Sequence, residues 1–220
     1  MALLSMALFR WPLWRSKKIG FYKLMGSGKN GTFDKTPDWQ QWAIMATFST
    51  DLPQGSLQQK DYLTLLYGRF IGGWLRLFRC EVQTLLLTPI EGHGQWDGQQ
   101  PFGTLPKQSD YAGPIAVLTR ATIRLGKLRS FWRHVPAVAS RMANAEGFVH
   151  SVGIGEIPWI KQATFSVWQS KEAMRQFAYK MQEHAEVVRK TYQEKWYSEE
   201  MFVRFMILDK NGTLRGEELF

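Results

Sequence analysis

Apolar residues in the second half of the chain recur with two distinct periods. Pro114 to Ile123 is a β-branched, largely apolar run and predicts a strand, whereas Lys127 to Ala143 places Leu128, Phe131, Trp132, Val135 and Val138 on one face and predicts a helix. Two further strands are expected over Phe148 to Gly153 and Ile160 to Trp168. Lys171 to Tyr192 then reads as a helix, because Met174, Phe177, Ala178, Met181, Ala185 and Val188 form an apolar stripe. Phe202 to Leu208 closes the set as a strand. The order βαββαβ is the ferredoxin-like arrangement, an antiparallel sheet with two helices on one face.

The first half repeats the later part of this pattern. Ala-Thr-Phe-Ser occurs at Ala46 to Ser49 and again at Ala163 to Ser166, preceded by Gly26-Ser-Gly28 and by Gly153-Ile-Gly155. Each copy is followed by a helix-like stretch and an apolar strand, Thr84 to Ile90 or Phe205 to Leu208. A Gly-x-x-x-Gly turn comes next, Gly94 to Gly98 or Gly212 to Gly216. Four features in one order indicate a duplication. The expected fold is therefore α+β, with two ferredoxin-like halves, 1–110 and 111–220, superposing as a pseudo-dimer whose sheets pack face to face. The chain starts inside what should be the first helix of the first half, so that half is expected to lack its opening strand.

Composition narrows the classes. The chain has 220 residues, 45% of them hydrophobic, and its 31 aromatics are too many for a disordered chain. A single cysteine, Cys80, excludes an intramolecular disulfide framework and fits a reducing, cytoplasmic setting. No apolar run reaches the roughly 20 residues of a spanning helix, and Met1 to Phe9 has its basic residues on the wrong side for a signal peptide. Twenty-eight basic against nineteen acidic residues give a net charge of +9. Residues 1 to 30 and 111 to 145 each carry six basic residues and no acid, so two basic faces sit on a body of net charge −3. Such faces are either simply solvated or dock an acidic protein or an anionic surface. Nucleic acid is not expected, because no aromatic RNA-stacking motif occupies the middle strands.

Most catalytic motifs fail on inspection. Gly26-x-Gly28-x-x-Gly31, with Asp51 beyond it, spells a dinucleotide fingerprint, but Thr32 to Pro37 cannot start the helix that would present its N-terminus to a pyrophosphate. Gly28-Lys29 is followed by Asn30 where a phosphate loop needs a hydroxyl, and no Gly-x-Ser-x-Gly elbow occurs. No histidine pair has chelating spacing, yet a haem iron needs only one imidazole. His184 falls inside the apolar stripe of the last helix and His134 borders that of the earlier one. By spacing alone, His184 reads as a core histidine or a ligand, with the core reading favoured.

Several stretches resemble the spheroidene monooxygenase family of bacterial carotenoid enzymes. They are Phe21 to Gly28, Leu118-Thr-Arg-Ala-Thr-Ile-Arg124, Phe131-Trp-Arg-His-Val-Pro136, Gly153-Ile-Gly-Glu-Ile-Pro-Trp159, Ala163 to Ser166, and His184-Ala-Glu-Val-Val-Arg189 through Trp196 to Phe205. The resemblance implies a dimeric α+β barrel within one chain, and a haem b oxygenase. The expected reaction is oxidation of an acyclic carotenoid at C-2, beside its methoxy end, by two hydroxylations that give a ketone, with dioxygen and reduced ferredoxin. It also implies His184 as the iron ligand, with His134 as the alternative. Arg120 and Arg124 become candidates for pairing a propionate or polarising oxygen, and Trp132 and Trp159, with Phe165 and Trp168, for walling the pocket. Glu156 is a candidate acceptor for the ligand imidazole. An apolar substrate further suggests peripheral contact with the inner face of a membrane. Two other readings stand beside this one: a haem enzyme of another class, such as a dehydratase, on the same fold, and a non-catalytic binding module.

Overall fold

A computed structural model describes residues 2–29, 36–49, 59–180 and 195–218. Its elements are α1 (Ala2–Leu8), α2 (Arg10–Arg15), β1 (Ile19–Gly28), β2 (Pro37–Phe48), α3 (Gln59–Leu77), β3 (Gln83–Gly94), β4 (Ile115–Ile123), α4 (Leu128–Ala143), β5 (Phe148–Ile157), β6 (Lys161–Trp168), α5 (Lys171–Lys180) and β7 (Tyr197–Gly212). The second half is βαββαβ, as its periodicity predicts, with α5 described only as far as Lys180. The first half runs ααββαβ among the described residues, with no strand before its helices. The Gly26-x-Gly28 pair lies inside β1, not at the start of a helix.

The seven strands among the described residues form one antiparallel sheet in the order β2-β1-β5-β6-β4-β7-β3. Within the second half, the order β5-β6-β4-β7 is the ferredoxin-like one. The halves are stitched at two places. Gly26 and Ser27 pair with Gly155 and Ile154, and β3 pairs with β7 from Gln83↔Gly212 to Gly94↔Met201. Two sheets facing each other are thus one curled sheet around a shared apolar interior, to which Met25, Trp96, Leu118, Val167, Val203 and Phe205 contribute. The sheet ends on β2 and β3, so a first-half equivalent of β4 would lie between them. Outside the sheet, Leu24, Leu63, Ile71 and Leu75 pack with Phe9 and Leu13 of the first two helices, while Ile115, Val117, Met142, Trp168 and Met174 pack beneath the second-half helices.

Pairing detail supports the duplication. The two Ala-Thr-Phe segments lie in β2 and β6, the third strands of their halves by the ferredoxin-like count. Glu81 and Glu199 each stand thirteen residues before the glycine that ends their long strand, Gly94 or Gly212. Glu199 accepts the backbone N–H groups of Asp97 and Gly98, at 2.9 and 2.7 Å, and Glu81 those of Arg215 and Gly216, at 2.9 and 2.6 Å. All four capped residues have positive φ, between 52° and 78°. Each half therefore contributes a carboxylate that ties down the tight turn of the other. Gly94 is required where it stands: at φ 95° a side chain would collide with the backbone of Glu200.

Candidate active site

Side chains from six segments converge at one mouth of the curled sheet. Arg120, in the middle of β4, faces inward with Leu118 and is only 1% exposed, so it is not the solvated strand-face arginine that alternation alone would allow. Its guanidinium pairs with Glu199 of β7, lies 3.0 Å from Asp97 Oδ1 and 3.8 Å from Glu156 Oε1, and sits 5.5 Å over the Trp96 ring. Lys23 of β1 pairs with Asp97 and donates to Glu156 Oε2 at 2.8 Å. Lys161 donates to Asp97 Oδ1 at 2.6 Å, and Trp96 Nε1 to Glu156 Oε1 at 2.6 Å. Three cations thus meet three carboxylates around a fully buried indole. Glu156 spends both its oxygens here. Burial alone would raise the Asp97 carboxyl, but hydrogen bonds from Lys161 and Lys23 outweigh it and hold the group at about 2. Glu199 is likewise lowered, because Gly98, Asp97 and Arg120 overcome its partial burial.

This shift has a pH consequence of definite sign. Asp97 has a folded value of about 2 against an ordinary 3.8, so its contribution to stability is complete above the higher value and is lost as pH falls toward the lower. Screened by solvent, the contribution is on the order of 1 kcal/mol. Asp97→Asn should therefore flatten the loss of stability between about pH 4 and pH 2, measured by urea unfolding at fixed ionic strength. An acid limb identical to that of the unsubstituted protein would show that Asp97 is not the titrating group.

The duplication places a second, different set at the equivalent mouth. His150 stands three residues before Gly153 as Lys23 does before Gly26, and Arg215 answers to Asp97. His150 pairs with Val167, whose side chain is in the interior core, so its imidazole faces inward too. Its Nε2 is buried with no hydrogen-bond partner among the described residues. Burial, assisted by Arg215, pushes this imidazole below the usual histidine range and keeps it neutral.

A cleft of about 530 Å³ opens beside the Arg120 mouth, lined by Gly94, Gln95, Arg124, Lys195 and Tyr197 to Glu200. Arg124 stands one residue beyond β4, exposed, and so does not share a strand face with Arg120. Its Nε donates to the Tyr197 carbonyl at 3.1 Å, and the residue lines the cleft. Next to it, α4 contributes an aromatic wall in which Phe131 meets Trp132, Trp196 and Tyr197 edge-on, at 5.4 to 6.3 Å. Trp132 is buried and its indole N–H donates to the Trp159 carbonyl at 3.1 Å. Trp159 itself is 53% exposed at the β5–β6 turn, with φ 65°. Phe165 packs against the interior core, whereas Trp168 is buried on the opposite, helix-covered side. Trp132 and Trp159 are thus brought together, but outside the sheet and away from Arg120.

Among the histidines, His184 lies outside the described residues. His134 is on α4, its ring 5.4 Å from Trp196 and its Nδ1 2.8 Å from the Ser130 carbonyl. A carbonyl only accepts, so this Nδ1 carries a hydrogen, and of the two neutral tautomers this contact selects the one with its lone pair on Nε2, the form in which imidazole ligates a metal. His93 is exposed and stacked on Phe202 at 5.9 Å. No cluster of three or more His, Cys, Asp or Glu capable of holding a metal occurs among the described residues. A haem needs one imidazole, an apolar wall and a cation for its propionates; His134, the α4 aromatics and Arg124 lie side by side around Trp196 and fit that requirement, whereas His150 is inside the sheet at the other mouth.

Sequence patterns single out Arg120 and Glu156 of this charge network, but not Lys23, Trp96, Asp97, Lys161 or Glu199. The only local signal was Gly94-Gln-Trp-Asp-Gly98, recognised as a turn but not as a supplier of charge.

No family model matches the chain. It is 33% identical over 217 residues to the spheroidene monooxygenase of Rhodobacter capsulatus, an overlap of 97% of this chain and 86% of that protein. To the spheroidene monooxygenase of Cereibacter sphaeroides it is 33% identical over 203 residues, covering 91% of this chain but only 60% of that longer protein. The Rubrivivax gelatinosus spheroidene monooxygenase is 31% identical over 196 residues, 89% of this chain and 72% of that one. A solved Fusobacterium nucleatum protein aligns with 96% of this chain at 7% identity and a TM-score of 0.43, a likeness too low to bear on function.

Proposed function

Since the chain belongs to the spheroidene monooxygenase family and is a monooxygenase, we propose that it is haem-dependent and oxidises an apolar, acyclic carotenoid-type substrate. Dioxygen and a reduced ferredoxin are the other reactants. Two hydroxylations at one carbon, followed by loss of water, give a ketone. Haem, when bound, supplies the activation of dioxygen. The observation that best supports this reading is the α4 wall: His134 with its Nε2 lone pair free, the Phe131, Trp132 and Trp196 rings around it, and Arg124 at the neighbouring cleft. His184, outside the described residues, remains the first candidate ligand, carried by the family-like His-Ala-Glu-Val-Val-Arg run. Arg120 is the weaker partner for a propionate, because Glu199 and Asp97 already engage its charge. Arg124 is better placed for that role. The exposed Arg129 and Arg133 on α4 form a basic face that suits an acidic ferredoxin.

Purified protein titrated with haem should develop a stoichiometric Soret band. With reduced ferredoxin it should then convert an acyclic methoxycarotenoid to its ketone, at a rate that falls with added salt, since the screening length is about 8 Å at physiological ionic strength. A protein that stays colourless after titration is not haem-dependent; a haem protein that leaves the carotenoid unchanged is an oxygenase of another substrate.

A further inference from the structure

Helices α1 and α2 act as one amphipathic unit. Backbone bonds from Phe9 N to Ser5 O, 2.8 Å, and from Leu13 N to Phe9 O, 3.1 Å, carry the helical pattern across their junction. Ser5, Phe9 and Leu13, four apart, are buried against the first-half core. The opposite face is not polar. Leu4 and Leu8 are exposed there, as are Trp11 at 63% and Trp14 at 73%. Phe9 meets Phe70 and Trp74 edge-on at 6.2 and 6.1 Å, which brings the outer ridge of α3 alongside. On that ridge Phe70, Leu77 and Phe78 are exposed too. Soluble surfaces seldom leave so many large apolar side chains together without a partner.

The rim of this face is basic. Arg10, Arg15, Lys17 and Lys18 are exposed around the tryptophans, Arg69 and Arg79 on the α3 side, and no acid occurs between residues 2 and 29. Arg15 lies 5.5 Å over the Trp11 ring, so charge and indole are presented together. We propose that this α1–α2–α3 face docks the protein onto an anionic phospholipid bilayer, with Trp11 and Trp14 at headgroup depth and the basic rim on lipid phosphates. Indoles favour the membrane interface because one edge is apolar and the other donates a hydrogen bond, and each nearby basic side chain adds attraction to an anionic leaflet. A second copy of the chain is the poorer occupant. Two-fold contact through this face would set its basic rim against an identical one. No helix among the described residues is long and apolar enough to cross a membrane, so the contact is one of surface docking.

The proposal goes beyond the reaction and does not depend on its substrate, so it is tested with vesicles that contain none. The full chain should co-sediment with phosphatidylcholine vesicles containing phosphatidylglycerol and only weakly with phosphatidylcholine alone. The exposed pair Arg15→Gln/Lys18→Gln should weaken that partitioning roughly thirtyfold, and Trp11→Ser/Trp14→Ser roughly tenfold or more. Lys107→Gln/Arg141→Gln, an equal loss of charge elsewhere, should leave it unchanged. Absence of binding to the anionic vesicles overturns the proposal, as does binding to which neither pair on this face matters. Loss of binding in the Lys107/Arg141 variant to the same extent reduces the effect to net charge and overturns it as well. A dimer dispersed by Trp11→Ser/Trp14→Ser, without vesicle binding, would make the face a self-interface. Should the tryptophan variant fail to fold, the Arg15/Lys18 pair decides alone.

Discussion

Arg120→Met lowers the stability of the protein by about 2 kcal/mol, less than the loss of a fully buried partner, because Asp97 keeps Lys23 and Lys161 and Glu199 keeps two backbone donors. Glu199 and Asp97 lose the guanidinium that lies between them and the Trp96 ring, and at 22% and 31% exposure they recover only part of its effect from water. For a chain of this size the melting temperature should fall by roughly 4–8 °C. Arg120→Lys restores the charge but not the fork and recovers only part of the loss. Arg120→Met combined with Glu199→Gln should be less destabilised than the sum of the two single variants, because the two side chains are coupled. A melting temperature for Arg120→Met equal to the parent's would mean that the lysines, the backbone donors and water satisfy both carboxylates without the guanidinium.

His184→Ala abolishes stoichiometric haem binding while the protein remains folded, since losing one imidazole removes about 1–3 kcal/mol. The decisive control is His134→Ala. If His184→Ala keeps a normal Soret spectrum and His134→Ala loses it, the iron belongs on α4, where the Ser130 carbonyl already fixes the tautomer that leaves Nε2 free. If neither substitution removes the band, His150, whose imidazole is buried inside the sheet, is the next candidate, and His150→Ala should then remove it. Circular dichroism of each variant separates loss of haem from loss of fold.

Local patterns carry the elements of the second half. An alternating or 3.6-residue apolar period depends only on which side of an element faces a core, so Ile115–Ile123, Leu128–Ala143 and Lys161–Trp168 emerge close to their expected bounds. β7 is the instructive departure. It begins at Tyr197, five residues before the expected Phe202, through a polar stretch, Tyr-Ser-Glu-Glu. Hydropathy treats Glu199 as a reason to end a strand. In the fold that carboxylate is neutralised by Arg120, seventy-nine residues away, and the ladder continues past it from Thr122↔Glu199 to Ile123↔Tyr197.

The repeat, and with it the ferredoxin-like class and the first half that begins on a helix, was written in sequence, because turns and glycines recur at fixed offsets whatever they touch. Strand order and the candidate site were not. The pairing of Gly26 with Gly155, and of β3 with β7, depends on how two copies meet, which no local pattern encodes. Lys23, Asp97, Arg120, Glu156, Lys161 and Glu199 are ordinary surface-type residues in their own neighbourhoods. They become one charge network closed over the buried Arg120 only when a single curled sheet brings them to one mouth, where partial burial favours a carboxylate beside each cation.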